Sequence, residues 1–275
     1  MSWLTSRDWA AGFRGNKVLL GLLPILALLI LYLIVAADRN AINPAEKITP
    51  MPSAMLEAMW TLVFEKDQLS GRYLFWSDTL ASLQRLSLGL GISTLTALVV
   101  GLLLGVLPTF RATFGMTVTS IAVIPPIALL PILFIVFGLG ETAKVALFLL
   151  GIAPFMVRDL AAYIGDLPRE QIVKAQTLGA STWQLMLRFA LPQAMPRLIQ
   201  ALRLSLGPAW VFLISAEAIA SDIGLGYRIF LVRRYLAMDV ILPYVLWIAI
   251  LAALIDWLLA DSSRRLYPWA HGSEH

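Results

Sequence analysis

The chain has 275 residues, of which 59% are hydrophobic and only 14% are charged, and its mean hydropathy is +0.80. A soluble domain carries roughly a quarter charged residues, so this composition excludes an ordinary soluble protein and indicates an integral membrane protein. The net charge is +4, but the Lys and Arg residues lie between apolar segments and form no stripe with interleaved aromatics, which argues against nucleic acid binding. The absence of cysteine excludes disulfides and Cys-based metal sites.

The first predicted membrane crossing is Val18–Ala37, which follows a polar and basic segment, residues 1–17. It contains no charge and has about the 20 residues that a helix needs to cross a hydrocarbon core. A cleavable signal peptide is the alternative, because Val35-Ala36-Ala37 resembles a small-residue cleavage site. Signal h-regions run only about 7 to 15 residues, so the length favours a retained helix.

The second crossing is predicted at Leu86–Leu107, after a long mixed segment that includes an amphipathic stretch, Ser53–Phe64. The apolar residues of that stretch recur at helical spacing, so we expect a helix at the outer surface. Within the second crossing, Gly101 and Gly105 form a small-xxx-small pair. Such a pair lets a neighbouring helix approach closely, and it predicts tight packing here.

The third crossing, about Met116–Phe137, is interrupted by Pro125, Pro126 and Pro131. Proline has no N–H to donate, so neighbouring carbonyls lose their partners, and in lipid such a break must face protein or a water-filled cavity. Two interpretations remain open. The prolines kink a packed helix, or Pro125 and Pro126 line a translocation pathway.

The fourth crossing is predicted at Ala143–Ile164, and the connection that follows, residues 165–196, is too polar to cross a membrane. Its apolar residues recur regularly, which predicts two short helices broken near Gly179. The remaining predicted elements are the fifth crossing at Leu198–Ala220, an outer segment at 220–239 and the sixth crossing at Val240–Leu259.

Six crossings place both termini on the same side of the membrane. The excess of Lys and Arg in short loops is small, but it favours a cytoplasmic location for both termini and for the 165–196 connection. The chain therefore divides into a cytoplasmic segment at 1–17, a membrane domain at 18–260 and a cytoplasmic tail at 261–275. The two histidines, His271 and His275, lie in this polar tail without a spaced metal-ligand partner.

The sequence contains no nucleotide-binding motif and no group of catalytic residues. There is no G-x-x-x-x-G-K-[ST] segment to hold phosphates, so any ATP hydrolysis must take place on another chain. No His, Asp or Glu residues cluster at one membrane depth, as a membrane enzyme would require, and the intramembrane charge pairs of a secondary transporter or channel are scarce.

Two carboxylates fall near helix interiors. Glu217, near the outer end of the fifth crossing, costs about 2.5 to 3.5 kcal/mol to place in hydrocarbon, so it should face a cavity or a partner. Hydrogen bonding to nearby backbone and a direct role in the translocation pathway both remain open for it. Asp256 lies near the inner surface, where we expect it to snorkel or to pair with Arg264 or Arg265.

The connection between the fourth and fifth crossings resembles the EAA loop of ABC importer permeases, whose pattern is E-A-A-x3-G-x9-I-x-L-P. Gly179, Leu191 and Pro192 match this pattern, and Ala175 matches its second alanine. The departures are Val173 for the glutamate, Lys174 for the first alanine and Phe189 for the isoleucine. The loop also lies before the penultimate crossing, as it does in that family.

Further similarity covers most of the chain and is typical of the nitrate, taurine, sulfonate and bicarbonate branch of these permeases. It includes the proline-rich third crossing, Phe137-Gly-Leu-Gly-Glu141, Arg203, and Ala216-Glu217 followed by Gly224-Leu-Gly226. The resemblance implies an all-α, MetI-like type I permease fold with six transmembrane helices and cytoplasmic coupling helices.

The same resemblance implies a homodimer in the bacterial inner membrane that works with an ATP-binding subunit and a periplasmic solute-binding protein. ATP and Mg²⁺ would bind on the partner ATPase, with no cofactor on this chain. The residues that would couple the two subunits are Ala175, Gly179, Ala180, Leu191 and Pro192.

The solute stays open at this point. Arg203 and Arg228 favour an anion, while Glu217 leaves room for a small nitrogen compound such as urea or guanidinium. The remaining alternatives are a secondary transporter or channel, a membrane enzyme, and an amphipathic interfacial hairpin without a partner in place of the coupling loop.

Overall fold

The structure, a computed structural model, describes residues 17–42, 47–68 and 70–270, and every regular element within these ranges is a helix. This confirms the all-α prediction. Most of the polar N-terminal segment, as well as His271 and His275, lies outside the described residues. The helices are α1 (Lys17–Ile42), α2 (Pro52–Phe64), α3 (Leu74–Val106), α4 (Pro108–Val123), α5 (Leu130–Phe137), α6 (Glu141–Gly165), α7 (Arg169–Thr177), α8 (Thr182–Gln184), α9 (Leu191–Ala220), α10 (Leu225–Arg233) and α11 (Met238–Leu266).

Five stretches of the described chain are long and apolar enough to cross a membrane: Leu22–Ile42, α3, α6, Thr182–Ala220 and α11. The stretch Thr182–Ala220 has 39 residues, or about 58 Å at 1.5 Å per residue. That is nearly twice the thickness of the hydrocarbon core, so one end of it must project from the membrane.

The predicted third crossing is not one helix. α4 and the helical segment Pro126–Phe137 meet at an angle of 88°, so they form a sixth span only if the bent pair is counted as one. α4 ends at Val123, and Pro126 begins a 3₁₀ turn that leads into α5. Two consecutive prolines supply no N–H to the last turn of α4, which explains a sharp break in place of a gentle kink.

The second crossing begins at Leu74, twelve residues before the predicted Leu86. Residues 74–85 include Asp78 and Arg85, whose charges made this stretch look like part of a polar loop. In the structure both side chains have partners of opposite charge, so the helix continues through them.

The tightest packing in the bundle is between α3 and α6. A Cβ atom added at Gly101 would lie 3.0 Å from Leu160, and one added at Gly105 would lie 2.6 Å from Ile164. This confirms that the small-xxx-small pair packs closely against another helix. Gly89, twelve residues before Gly101 on α3, faces the ring of Phe148 in the same way.

We expect Gly89→Leu to destabilise the protein by about 1–3 kcal/mol, because there is no room for its Cβ beside Phe148. Thermal or denaturant unfolding in detergent measures the change. Gly91→Leu is the matched control, since Gly91 lies on the same helix and a Cβ there meets nothing within 4 Å. Equal losses in the two variants would mean that helix propensity, and not the α3–α6 contact, sets the cost.

The N-terminal helix α1 is largely exposed and apolar, as expected of a helix surrounded by lipid. Its Tyr32 hydroxyl donates to the carbonyl of Pro50, at 2.7 Å, just before α2 begins. α2 in turn packs against α11 and α3. The predicted helix at Ser53–Phe64 is confirmed.

Candidate functional site

The 165–196 connection begins with a short helix that ends in a Gly-containing cap. α7 ends at Thr177, and Gly179 has φ of +82°. The N–H of Ala180 donates to the carbonyl of Ala175 at 3.0 Å, and the N–H of Gly179 donates to the carbonyl of Gln176 at 2.9 Å. This pair of bonds is a Schellman motif, whose left-handed residue is usually glycine, so the predicted break at Gly179 is confirmed.

The second half of the connection differs from the prediction. Ser181 and Gln184 form a reciprocal capping box that starts α8 directly after the glycine turn. No second short helix separates from the fifth crossing, because α8 continues through a π-helical turn, Leu185–Ala190, into α9. Pro192 cannot donate to the preceding turn, and a widened π turn is one way for a helix to accommodate that loss.

Between its start and Ala190, the connection is anchored to the helix ends by four buried side chains: Leu167, Leu185, Met186 and Ala190. A cavity of about 370 Å³ lies between the connection and the ends of α3 and α6. The connection is therefore packed on the bundle and is able to transmit a displacement to it.

Three large apolar side chains of the same connection point away from this anchor. Leu178 is 80% exposed, Trp183 is 65% exposed and Val173 is 55% exposed. Strongly exposed large apolar side chains on a polar connection are typical of a protein interaction surface.

The predicted coupling residues occupy two positions in this arrangement. Ala175, Gly179 and Ala180 form the turn and line a cavity of about 320 Å³ beside the exposed Leu178. Leu191 is half-buried and Pro192 is exposed, and both lie one helical segment away at the start of α9. The structure thus brings the first three together and separates the last two from them.

A second candidate site lies at the opposite end of the bundle, where a cluster of charged groups joins α3, α6, α9, α10 and α11. Glu217 of α9 is completely buried. Its carboxylate accepts from Arg85 Nη1 at 2.8 Å, from the Ser82 hydroxyl at 2.8 Å and from the Gly226 N–H at 2.9 Å. The buried charge is thus compensated by a guanidinium and two further donors.

Asp78 of α3 forms the second half of this charge cluster and is also completely buried. It accepts from Arg228 Nε at 2.7 Å and from the Gly224 N–H at 3.0 Å, and the Tyr244 hydroxyl lies 3.3 Å away. Burial lowers the pKa of Arg228, but its hydrogen bond with Asp78 and the charge of that carboxylate more than offset this, so the pKa is raised overall. Arg228 is therefore charged at any physiological pH.

Arg85 links the two ends of the charge cluster. Besides Glu217, it donates to the carbonyl of Ile223 at 2.7 Å and binds Glu141 of α6 through Nε and Nη2, at 2.8 and 2.9 Å. Lys144 adds a second cation to Glu141 at 2.9 Å. Three cations therefore balance three carboxylates, and the charge cluster is neutral.

These contacts correct two expectations. Titratable groups do cluster, and ion pairs between the long apolar helices are present, because three of the four ion pairs in the charge cluster join residues more than 50 positions apart in the chain. No regularity in the sequence pointed to this pairing. The only available signal was that several charges fell inside or beside apolar segments.

The predicted pairing of Asp256 with Arg264 or Arg265 is wrong. Asp256 binds Arg203 of α9 with two hydrogen bonds, at 2.8 and 2.9 Å, and Arg265 instead pairs with Asp261. Arg203 and Arg228, which had favoured an anionic solute, both have carboxylate partners.

The three predicted pathway residues differ in their surroundings. Pro126 is half-buried against α6, where a Cβ added at Gly151 would lie 2.9 Å from it, while Pro125 is exposed at the bend. Glu217 lies inside the charge cluster and is bonded on all sides to its own chain. Its role in a pathway stays a prediction.

Comparison with known proteins assigns the chain to one family. A family model described as the binding-protein-dependent transport system inner membrane component matches residues 93–267. The taurine transport system permease protein TauC of Escherichia coli is 35% identical over 223 residues, which cover 81% of this chain and 80% of the relative. The bicarbonate transport system permease protein CmpB of Synechococcus elongatus is 28% identical over 190 residues, 68% of this chain and 67% of the relative.

The fold has a counterpart among solved structures. A chain of the MetNI methionine ABC transporter in an inward-facing conformation aligns with a TM-score of 0.59 and 21% sequence identity. The alignment covers 73% of this chain and 97% of that chain. At this level of identity the match supports the MetI-like fold and nothing finer.

Proposed function

The chain belongs to the binding-protein-dependent transport system inner membrane components, and we propose that it couples solute import to a separate ATPase through its 165–196 connection. It is the permease subunit of an ABC importer in the inner membrane, and ATP hydrolysis belongs to another subunit. The two subunits then meet at the surface of this connection. ATP and Mg²⁺ bind on the partner, since this sequence lacks a phosphate-binding loop.

The observation that carries the proposal is the combination of exposure and anchoring in one segment. Val173, Leu178 and Trp183 offer an apolar surface, while Leu185 and Met186 a few residues away are buried against the bundle. A partner that moves the Schellman turn at Gly179 therefore pushes on the start of α9. α9 runs without interruption from Leu191 to Ala220, so the displacement reaches the charge cluster at its far end.

We expect Gly179→Val to abolish most coupled transport while leaving the protein folded. Valine is strained at φ of +82°, so the turn and the surface around Leu178 rearrange, although a Cβ at this position meets nothing within 4 Å. Uptake of labelled taurine by proteoliposomes that contain the permease, its ATPase and its binding protein measures the loss, with ATPase activity recorded in parallel.

The matched control is Gly71→Val. Gly71 also has a positive φ, +66°, and open space around it, but it lies before α3. Transport by the Gly71 variant should stay within about twofold of wild type. Unchanged uptake in the Gly179 variant would exclude the connection as the coupling surface, and so would failure of the wild-type chain to retain an ATPase in mild detergent.

For the solute we propose a small anion or zwitterion of the sulfonate class, such as taurine. The support is the 35% identity with a taurine permease over most of both chains. In the same uptake assay, excess alkanesulfonate should compete with taurine, and urea should not. Competition by urea would favour a small nitrogen compound, and uptake driven by an ion gradient without ATP would favour a secondary transporter.

The assembly that we propose contains two copies of this chain, two ATPases and a periplasmic binding protein. Both termini and the 165–196 connection then face the cytoplasm, and the charge cluster lies near the periplasmic surface. The small excess of basic residues in the cytoplasmic segments supports this orientation.

A further inference from the structure

A cavity of about 390 Å³ opens between α4 and α6 at the end of the bundle that carries the 165–196 connection. Arg111, from the first turn of α4, and Arg158, from α6, both line it. The rest of its wall is largely apolar and includes Leu104, Met116 and Val118. The cavity is separate from the glycine turn and from the charge cluster.

Neither arginine has an anionic partner within the part of the chain that the structure describes. Arg85, Arg197 and Arg203, which also lie within long helices, are each paired with a carboxylate. The carboxylate next to Arg158 in the sequence, Asp159, is bonded to Arg197 of α9 instead.

The position of Arg111 stabilises its positive charge only in part. Its Nη1 lies 3.0 Å from where a Cβ at Gly165 would be, beside the C-terminal end of α6. The negative end of the helix dipole partly stabilises a cation there. Arg158 lies seven residues before Gly165, about 10 Å from that end, and gains little from the dipole. Two cations thus share one cavity with no anion from the described residues beside them.

We infer that this cavity binds the phosphate group of an anionic phospholipid, with both guanidinium groups as its ligands. Guanidinium donors match the oxygens of a phosphate in pairs, and basic pockets between transmembrane helices bind lipid headgroups. The end of the helix bundle is the depth at which lipid phosphates lie.

The surface beside the cavity favours a lipid over a free ion. Within α4 no residue is buried, and its apolar side chains Phe114, Met116 and Val123 are 46%, 82% and 74% exposed. These residues extend from the level of Arg111 toward the middle of the membrane. An acyl chain attached to the bound phosphate has an apolar surface to lie against, which a soluble oxyanion would not use.

The test is the binding of phosphatidylglycerol to the purified full-length chain in detergent, measured by native mass spectrometry against phosphatidylcholine with the same acyl chains. We expect phosphatidylglycerol to bind preferentially, and Arg111→Gln and Arg158→Gln each to weaken it about tenfold. Arg264→Gln is the control, because Arg264 is an exposed arginine of α11 at the same end of the bundle. It should leave binding unchanged.

Three results would overturn the inference: equal binding of the two lipids, an equal loss in the Arg264 variant, or full displacement of phosphatidylglycerol by millimolar phosphate or methanesulfonate. The last result would assign the site to a soluble oxyanion. Arg111→Lys and Arg158→Lys keep the charge but lose the fork of donors, so binding intermediate between wild type and the glutamine variants is expected. Should a glutamine variant fail to fold, the lysine variants still test whether the two guanidinium groups bind the lipid phosphate.

Discussion

Replacing Glu217 by alanine is expected to destabilise the permease by about 3 kcal/mol, near the lower end of the range for breaking a buried ion pair. The substitution removes a completely buried carboxylate and leaves the Gly226 N–H without its acceptor. Arg85 keeps Glu141 as a second carboxylate, which limits the loss. Thermal and denaturant unfolding of the protein in detergent measure the effect.

Two further variants separate charge from shape. Glu217→Gln keeps the size of the side chain and an oxygen that can accept from Gly226, so it should fall between alanine and wild type. Glu57→Ala removes an exposed carboxylate from α2 and should change stability by less than about 0.5 kcal/mol. Wild-type stability of the Glu217→Ala variant would show that the bonds of Glu217 contribute nothing to the stability of the fold.

Replacing Gly224 by alanine is expected to lower the stability of the permease at least as much as Glu217→Ala does, for two independent reasons. Gly224 has φ of +139° and ψ of +162°, a region that is essentially restricted to glycine and costs other residues about 1–3 kcal/mol. A Cβ there would also lie 2.5 Å from Cδ of Glu217, so the carboxylate must leave its position between Arg85 and Gly226. We expect a total loss of about 3–5 kcal/mol in the same unfolding assay.

Gly138 provides the control for the backbone contribution. Its φ of +75° and ψ of +177° lie in the same region, but a Cβ there meets nothing within 4 Å. Gly138→Ala should therefore cost only the backbone strain, about 1–3 kcal/mol. If the two glycine variants lose the same stability, contact with Glu217 is not part of the cost at Gly224.

A double variant tests whether the second contribution acts through Glu217. Once Glu217 is alanine, the Cβ at Gly224 no longer meets a carboxylate. The combined loss should then be smaller than the sum of the single losses by about 0.5–3 kcal/mol. If the two single losses of stability are strictly additive, the cost of the Gly224 variant comes from backbone strain alone.

The 165–196 connection was predictable because its structure is local. The turn at Gly179 is closed by hydrogen bonds between residues at most five positions apart, and the capping box joins Ser181 to Gln184. Composition and short spacings report such features directly. The continuous passage from α8 to α9 was not predictable in this way, because hydropathy begins the fifth crossing only at Leu198, where the polar residues of the connection end.

The charge cluster was not predictable, since Ser82 and Arg85 meet Glu217 across more than 130 positions and Asp78 meets Arg228 across 150. Hydropathy assigns each charge a fixed cost, so Asp78 and Arg85 were placed outside the second crossing and Asp256 was given a neighbouring arginine as partner. The break at Pro125 and Pro126 was visible in the sequence, but its angle was not.

The sequence by itself determined the membrane class, the positions of most crossings, the small residues at Gly101 and Gly105 that permit close helix packing, and the glycine turn of the connection. Each depends on the apolar content, length or local hydrogen bonding of one continuous segment. Only the tertiary structure decided which charges share a buried site and which helix arginines have no carboxylate partner among the residues that the structure describes. The cost of a charge in a membrane is set by the groups around it, and those groups come from helices that only folding brings together.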